Sequence, residues 1–219
     1  MNDITKTTYF KYCGEINTEP LLHKALTRCK ELGITQVIIA SETGKSALRA
    51  LTIFPDNITL IVVTHPPAKT WGPKGDIPIG LYKKEYESTR KTLEEHNVTI
   101  IQGTRPLVPP SRTINWGYPT PECIIDKTLE IFSAGTKIAI EATLIATDAG
   151  KIKEGEEVIS CAGTFKGLDT ALVVKASYTM HFFTEFEVRE IIAKPRYRVK
   201  ELPEYDFKNW KGDLDKYYL

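Results

Sequence analysis

The sequence predicts an α/β protein with a mostly parallel sheet, and three observations carry this prediction. Residues 35–40, "TQVIIA", form an unbroken apolar run of the kind found in strands buried inside a parallel sheet. The helix-like segment "KSALRALTIF" follows and leads into a second apolar run, "ITLIVVT", so the three segments make a βαβ unit. Residues 136–151, "TKIAIEATLIATDAGK", are almost wholly apolar, and such a helix is expected to lie against the sheet.

The other elements follow from local signals along the chain. A helix is predicted over 17–33, because Asn17 or Thr18 can cap its start and Gly33 can end it. Further helices are predicted over 83–97 and 123–135. The remaining predicted strands are a short one in "TTYFKYC", one in "VTIIQG", two in "EEVISCA" and "TALVVK", and an alternating edge strand in "EFEVREIIAKP".

Composition excludes several classes of protein. The 219 residues suit one α/β domain with an appendage, and 29 Lys and Arg against 28 Asp and Glu give no basic stripe for nucleic acid. The four cysteines lie far apart, without the spacing of a zinc site. The N-terminus has no apolar signal core, and no apolar run is long enough to span a membrane. We therefore expect a cytoplasmic protein with neither nucleic-acid nor membrane partners; assembly into a homo-oligomer is compatible with the sequence.

The segment "ASETGKSA" raises the question of a phosphate-binding loop. A Walker loop needs a glycine five residues before Gly44, where this chain has Ile39, and an aspartate at the end of the next strand, where it has Thr64 and His65. A weaker hypothesis survives, in which the free N–H groups at a helix start bind an anion with the hydroxyls of Ser41, Thr43 and Ser46. The alternative is an ordinary helix cap.

Two irregular stretches follow predicted strands, at 65–80 and in "TRPLVPPSRTINWGYPTPE". Loops after parallel strands meet at the carboxyl edge of a sheet, where α/β proteins bind ligands. Trp71 and Trp116 in these loops can cover a flat ligand, or they can simply pin the loops to the surface. A third loop, "GTFKGLDTA", can bring backbone N–H groups to a ligand, or it can be only a wide hairpin.

A carboxylate at Glu141, within an apolar helix, is either at an exposed edge or partnered. We favour a structural partner over a catalytic base, because no histidine or metal pattern accompanies it. An enzyme that uses Glu141 or His65 ranks as the third functional hypothesis.

Several of these motifs resemble one known family. The βαβ unit and "AGKIKEGEEVISCAG" resemble the C-terminal domain of pyruvate kinases, and a closer resemblance is to free-standing proteins built on that domain. The motifs that carry it are "GEINTE", "ASETGKSA", "VTH", "GTKIAIEATLIATDAG", "GTFKGLDTA" and "EIIAKPR", which together cover roughly residues 9–196. The chain departs from these relatives at "GTRPLVPPSR", which has Arg105 and no histidine, and in its tail.

The resemblance implies a three-layer α/β/α sandwich over 1–196. Residues 197–219 are charged and aromatic without a clear period, and we expect them to form a docking tail. The resemblance also implies a phosphorylated ligand, with flavin mononucleotide (FMN) favoured and a sugar phosphate or nucleotide bound by a regulatory module as the alternative. It places the strand before the third loop beside "QVIIA" and parallel to it. The implied ligand-binding residues are Ser41, Thr43, Gly44, Lys45, Ser46, Thr64, His65, Gly163, Thr164 and Thr170. The chain is too short for a catalytic barrel of roughly 250 residues in addition to this domain, so we do not expect pyruvate kinase activity.

Overall fold

The computed structural model describes residues 5–69, 78–108, 119–164 and 166–197. Its nine strands in this part of the chain are β1 (Thr8–Phe10), β2 (Gln36–Ala40), β3 (Thr59–Thr64), β4 (Ala68–Lys69), β5 (Pro78–Ile79), β6 (Thr99–Gln102), β7 (Glu157–Ala162), β8 (Thr170–Lys175) and β9 (Glu187–Pro195). The α-helices there are α1 (Thr18–Leu32), α2 (Lys45–Ile53), α3 (Glu87–Glu95), α4 (Pro121–Leu129), α5 (Ala134–Asp148) and α6 (Phe182–Glu185).

Seven of the strands form one mixed sheet in the order β1-β9-β8-β7-β2-β3-β6. Strand β2 is parallel to both of its neighbours, β3 and β7, and β6 continues the parallel part beyond β3. Strand β8 is antiparallel to β7 and β9. The predicted α/β class with a mixed, mostly parallel sheet is therefore confirmed, and β7 lies beside β2 as the resemblance implied.

The sheet has a hydrophobic core on each face, because side chains alternate along each buried strand. On β2, Val37 and Ile39 belong to the core under α1 and α2, while Ile38 belongs to the core under α5. Helix α5 contacts β2, β7 and β8, as expected for a helix so rich in apolar residues. The fold thus has three layers, α/β/α.

Three predicted elements differ from the structure. Strand β9 is not an edge strand, because β1 pairs with its last three residues in parallel. Helix α4 begins at Pro121, capped by Thr120, and ends at Leu129, so 130–133 form a turn that separates it from α5. Strands β4 and β5 pair in a short antiparallel ribbon within a stretch predicted to be irregular.

The predicted tail lies outside the described residues beyond Tyr197, as do Trp71 and Trp116. No helix in the described ranges is both long and apolar enough to cross a membrane. The cysteines are all free thiols, and Cys13, Cys29 and Cys161 are buried. Burial raises the pKa of the Cys29 thiol to about 12, so this group stays a packed, protonated thiol.

Candidate functional site

The turn between β2 and α2 depends on Gly44. Its φ is +80°, in the left-handed region that side chains disfavour. A Cβ atom at this position would lie 2.3 Å from Cγ2 of Thr89 and 2.8 Å from Cδ1 of Leu81. The turn therefore needs a glycine for its backbone conformation and for its close packing against α3.

The start of α2 presents unused hydrogen-bond donors. The first helical bond runs from the N–H of Leu48 to the carbonyl of Gly44, at 2.9 Å. Within the described residues, the N–H groups of residues 43–46 have no acceptor, and no side chain caps the helix. The hydroxyls of Ser41, Thr43 and Ser46 form no hydrogen bond in the same part of the chain. This differs from an ordinary cap, in which a side chain would accept one of these N–H groups.

Glu42, in the same turn, is a residue that the sequence analysis missed. Its carboxylate accepts the backbone N–H of His65 at 3.2 Å and contacts Nδ1 of the His65 ring. The hydroxyl of Thr64 lies 3.5 Å from the same carboxylate and accepts the N–H of Leu81 at 3.1 Å. The end of β3 is thus held to the end of β2 by one acidic side chain.

A small cleft, partly open to solvent, lies at this edge on the α5 face of the sheet. It is lined by apolar side chains of β2, β3 and α5 together with Glu42, Thr64, His65, Arg105 and Glu141. Of the predicted ligand-binding residues, Thr64 and His65 line this cleft. Gly44 is not among the residues that line it and packs instead against Thr89 and Leu81.

Arg105 is the partner of the buried carboxylate at Glu141. Its Nε donates to Glu141 at 2.7 Å, and its Nη2 lies 2.5 Å from Glu141 and 2.6 Å from Asp126. Burial raises the pKa of Glu141, and the Arg105 guanidinium opposes that shift. Lys137, on α5, contacts Asp126, on α4, at 3.3 Å, so the cluster also joins these two helices. The prediction that Glu141 has a structural partner is confirmed.

The loop after β7 leaves the sheet on the same edge as the β2–α2 turn, because β7 and β2 are parallel neighbours. The described part of the loop is held by contacts within it and by a contact to α1. The carboxylate of Asp169 accepts the N–H of Thr164 at 3.0 Å, and the N–H of Leu168 donates to the Thr18 hydroxyl at 2.9 Å. Gly163 and Thr164 are half-buried at the surface of this closed loop.

Thr170 does not face open space, contrary to the expectation that it lines a ligand cavity. Its side chain is fully buried, and its hydroxyl contacts Asp169 at 2.9 Å and Ser133 at 3.2 Å. Gly163 also differs from expectation, since a Cβ there would lie 2.2 Å from the carbonyl oxygen of Gly167. A larger side chain at residue 163 would therefore meet backbone and disturb the loop itself.

The sequence model of one protein family, described as pyruvate kinase, alpha/beta domain, matches residues 19–174, which is more than half of the chain. The chain belongs to this family. The matched segment begins in α1 and ends in β8, so it includes the turn at Gly44, the cleft and the loop after β7. As a pyruvate kinase alpha/beta domain, the protein has the open α/β architecture in which small molecules bind at the carboxyl edge of the strands.

Glu42 and Asp169 escaped the sequence analysis for the same reason. Each is a single acidic residue inside a loop, and such residues are usually exposed to water. Their roles depend on partners that are distant in the chain, as with Glu42 and His65, which are 23 positions apart. The sequence did contain one indication for Glu42, because this residue lies between two hydroxyl residues in the turn that was predicted to bind phosphate.

Proposed function

We propose that this protein binds a phosphorylated small molecule, with its phosphate at the β2–α2 turn. The observation that carries the proposal is the set of four consecutive backbone N–H groups, at residues 43–46, without acceptors among the described residues. Several N–H groups at a helix start, together with the positive end of the helix dipole, suit a phosphate. The hydroxyls of Ser41, Thr43 and Ser46 add donors, and the exposed Lys45 adds positive charge.

The favoured ligand is FMN, on the strength of the motif resemblance. Its ring would extend over the carboxyl edge between the long loops and the loop after β7. Gly163 and Thr164 would contact it from that loop, and Thr64 and His65 from the end of β3. Thr170 contributes by holding Asp169 beneath the loop rather than by direct contact.

The alternative is a regulatory module that binds a sugar phosphate or nucleotide, and it rests on the motif resemblance and on the same N–H groups. In both cases the phosphate would bind the same turn.

Titration separates these ligands. FMN, riboflavin and fructose 1,6-bisphosphate are added to the purified protein, and binding is followed by flavin fluorescence and by thermal stability. We expect FMN to bind, riboflavin to bind at least about tenfold more weakly because it lacks the phosphate, and Ser46→Ala to weaken FMN selectively. Stabilisation by the bisphosphate alone would favour the regulatory module. Equal affinity for FMN and riboflavin would contradict a phosphate site at this turn.

A further inference from the structure

The outer strands β9 and β1 carry side chains on the same face of the sheet as α5. Val188 on β9 pairs with Val174, which belongs to the core under α5, so Val188 lies on this face. Ala193 belongs to the opposite core, and side chains alternate along a strand, so Lys194 also lies on the α5 face. Helix α5 packs against β2, β3, β7 and β8, and β9 and β1 follow β8 on the outer side of the sheet.

Four of these side chains form a partly apolar surface along β9. Tyr9 pairs with Lys194, and the ammonium of Lys194 lies 5.4 Å from the centroid of the Tyr9 ring. Tyr9 and Val188 are 54% and 43% exposed. Toward the start of β9, Phe183 is 81% exposed and packs edge-on against Phe182, which contacts the core under α5. We call Tyr9, Phe183, Val188 and Lys194 the outer strip. Exposed apolar side chains that lie together in this way are typical of an interaction surface.

The chain leaves the described fold beside the outer strip. The N–H of Arg196 donates to the carbonyl of Phe10 at 2.9 Å, which fixes the end of β9 next to β1. Strand β9 has nine residues and is therefore about 30 Å long. About ten residues of extended chain would run back along it from Lys194 to Phe183. The 22 residues of 198–219 can therefore reach every member of the strip.

The segment 198–219 has side chains that match the outer strip. Tyr205, Phe207 and Trp210 come close together in the sequence and offer large apolar surfaces. Lys194 makes no ion pair among the described residues, where its neighbours are a backbone carbonyl and an aromatic ring. Glu201 follows it by seven positions and can supply a carboxylate. Both the apolar and the charged part of the strip therefore find a counterpart in this segment.

We propose that residues 198–219 dock on the outer strip of their own chain. The aromatic side chains of the segment cover Tyr9, Phe183 and Val188, and a carboxylate of the segment lies near Lys194. The segment thereby extends the layer that α5 forms on this face. A second copy of the chain competes poorly for the same surface, because an attached segment has a far higher effective concentration. The docking does not depend on the phosphate site.

Photochemical crosslinking in the full-length protein tests the docking. The photoreactive amino acid p-benzoylphenylalanine replaces Phe183, and mass spectrometry after irradiation and digestion identifies the linked peptides. We expect links to residues 198–219. The experiment is repeated with a mixture of ¹⁴N- and ¹⁵N-labelled protein, in which both linked peptides should carry the same isotope. The matched control has the same replacement at Phe132, which is 51% exposed in the turn after α4 and should give no link to 198–219.

Limited trypsin digestion tests the same contact without a label. Trypsin can cleave after Lys208 and Lys211, and a docked segment is cleaved only when it opens. We expect the double variant Tyr9→Ser with Phe183→Ser to be cleaved there at least about fivefold faster than wild type.

The matched control for digestion is the double variant Tyr82→Ser with Phe132→Ser. Both of these residues are exposed, and neither belongs to the outer strip. The control should be cleaved at the wild-type rate, and circular dichroism checks that both double variants keep their fold.

Several results would overturn the proposal. Links between differently labelled chains would place a second copy on the outer strip. Links from residue 183 only to other segments, or no links at all, would show that residues 198–219 do not cover it. Links to 198–219 from residue 132 but not from residue 183 would place the segment on α4. Equal cleavage rates in the two folded double variants would show that the strip does not hold the segment.

Discussion

The carboxylate of Asp169 accepts the backbone N–H of Gly14 at 2.8 Å, although 155 residues separate the two in the chain. The same carboxylate accepts the N–H of Thr164 and the hydroxyl of Thr170. It is completely buried. One side chain therefore joins the segment before α1, the loop after β7 and the start of β8.

Replacing Asp169 with asparagine should lower the free energy of unfolding by about 1–3 kcal/mol, because an amide offers one acceptor oxygen where the carboxyl group offers two. Guanidinium denaturation of the two proteins measures the difference. Asp56 is exposed, so Asp56→Asn is the matched control and should change stability by less than about 0.5 kcal/mol. Equal stability of Asp169→Asn and wild type would show that the carboxylate does not hold these segments together.

The stability contribution of Asp169 should depend on pH. Burial raises the pKa of this carboxyl group above the value of about 3.9 that it has in an unfolded chain. The folded protein then binds the proton more tightly, so the contribution is fully present below about pH 3.9 and decreases as the pH rises through the folded-state value.

We therefore expect the stability of wild type relative to Asp169→Asn to decrease as the pH rises from about 4. Paired denaturation curves across this range measure the change, and taking the difference removes the contributions of all other groups. An increase with pH would mean that the ionised form is favoured in the folded state by its N–H donors.

Gly44→Ala should destabilise the protein more than Gly33→Ala does. Both glycines have positive φ, +80° and +69°, but a Cβ at Gly33 meets nothing within 4 Å while one at Gly44 overlaps Thr89. Backbone strain costs roughly 1–2 kcal/mol at either position. The overlap should bring the cost at Gly44 to about 2–4 kcal/mol. Thermal denaturation measures the loss of stability in both variants. Equal losses would show that α3 moves away from the added Cβ at residue 44 without a cost.

The parallel half of the sheet was predictable because its signals are local. The apolar runs of β2 and β3, and the glycine that ends α1, each need only a short window of sequence. The pairing of β1 with β9 was not predictable in this way, because it joins Thr8 to Ala193 and forms only once the rest of the sheet has assembled. In the candidate site, the turn at Gly44 could be predicted from the sequence. The role of Glu42 could not, because it depends on β3 bringing His65 beside it.

Removing the side chain of Arg105 should lower the stability of the protein, because the buried carboxylate of Glu141 then loses its cationic partner. Glu141 is 1% exposed, and in Arg105→Leu its carboxylate would have no cation in contact among the described residues. Breaking a buried pair in this way costs about 3–5 kcal/mol, and the double variant Arg105→Leu with Glu141→Leu should recover part of the loss. Denaturation of the single and double variants measures the coupling.

The matched control for this pair is Arg49, which lies 3.5 Å from Glu19 with both side chains more than half exposed. Arg49→Leu should cost less than about 1 kcal/mol, since water replaces the ion pair. If Arg105→Leu costs no more than this control, the buried cluster does not stabilise the loop after β6.

Lys45→Ala should weaken phosphate-ligand binding by up to about 1 kcal/mol, or roughly fivefold. Lys45 is exposed at the first position of α2, so it adds charge near the N–H groups while water screens it. The effect should shrink as salt is added, which calorimetric titration with FMN at two salt concentrations can measure. Lys30 is exposed on α1, and Lys30→Ala is the control that should leave binding unchanged. Magnesium-dependent ATP hydrolysis that disappears in Lys45→Ala would contradict this account, because it would make Lys45 a Walker lysine despite Ile39 in place of the required glycine.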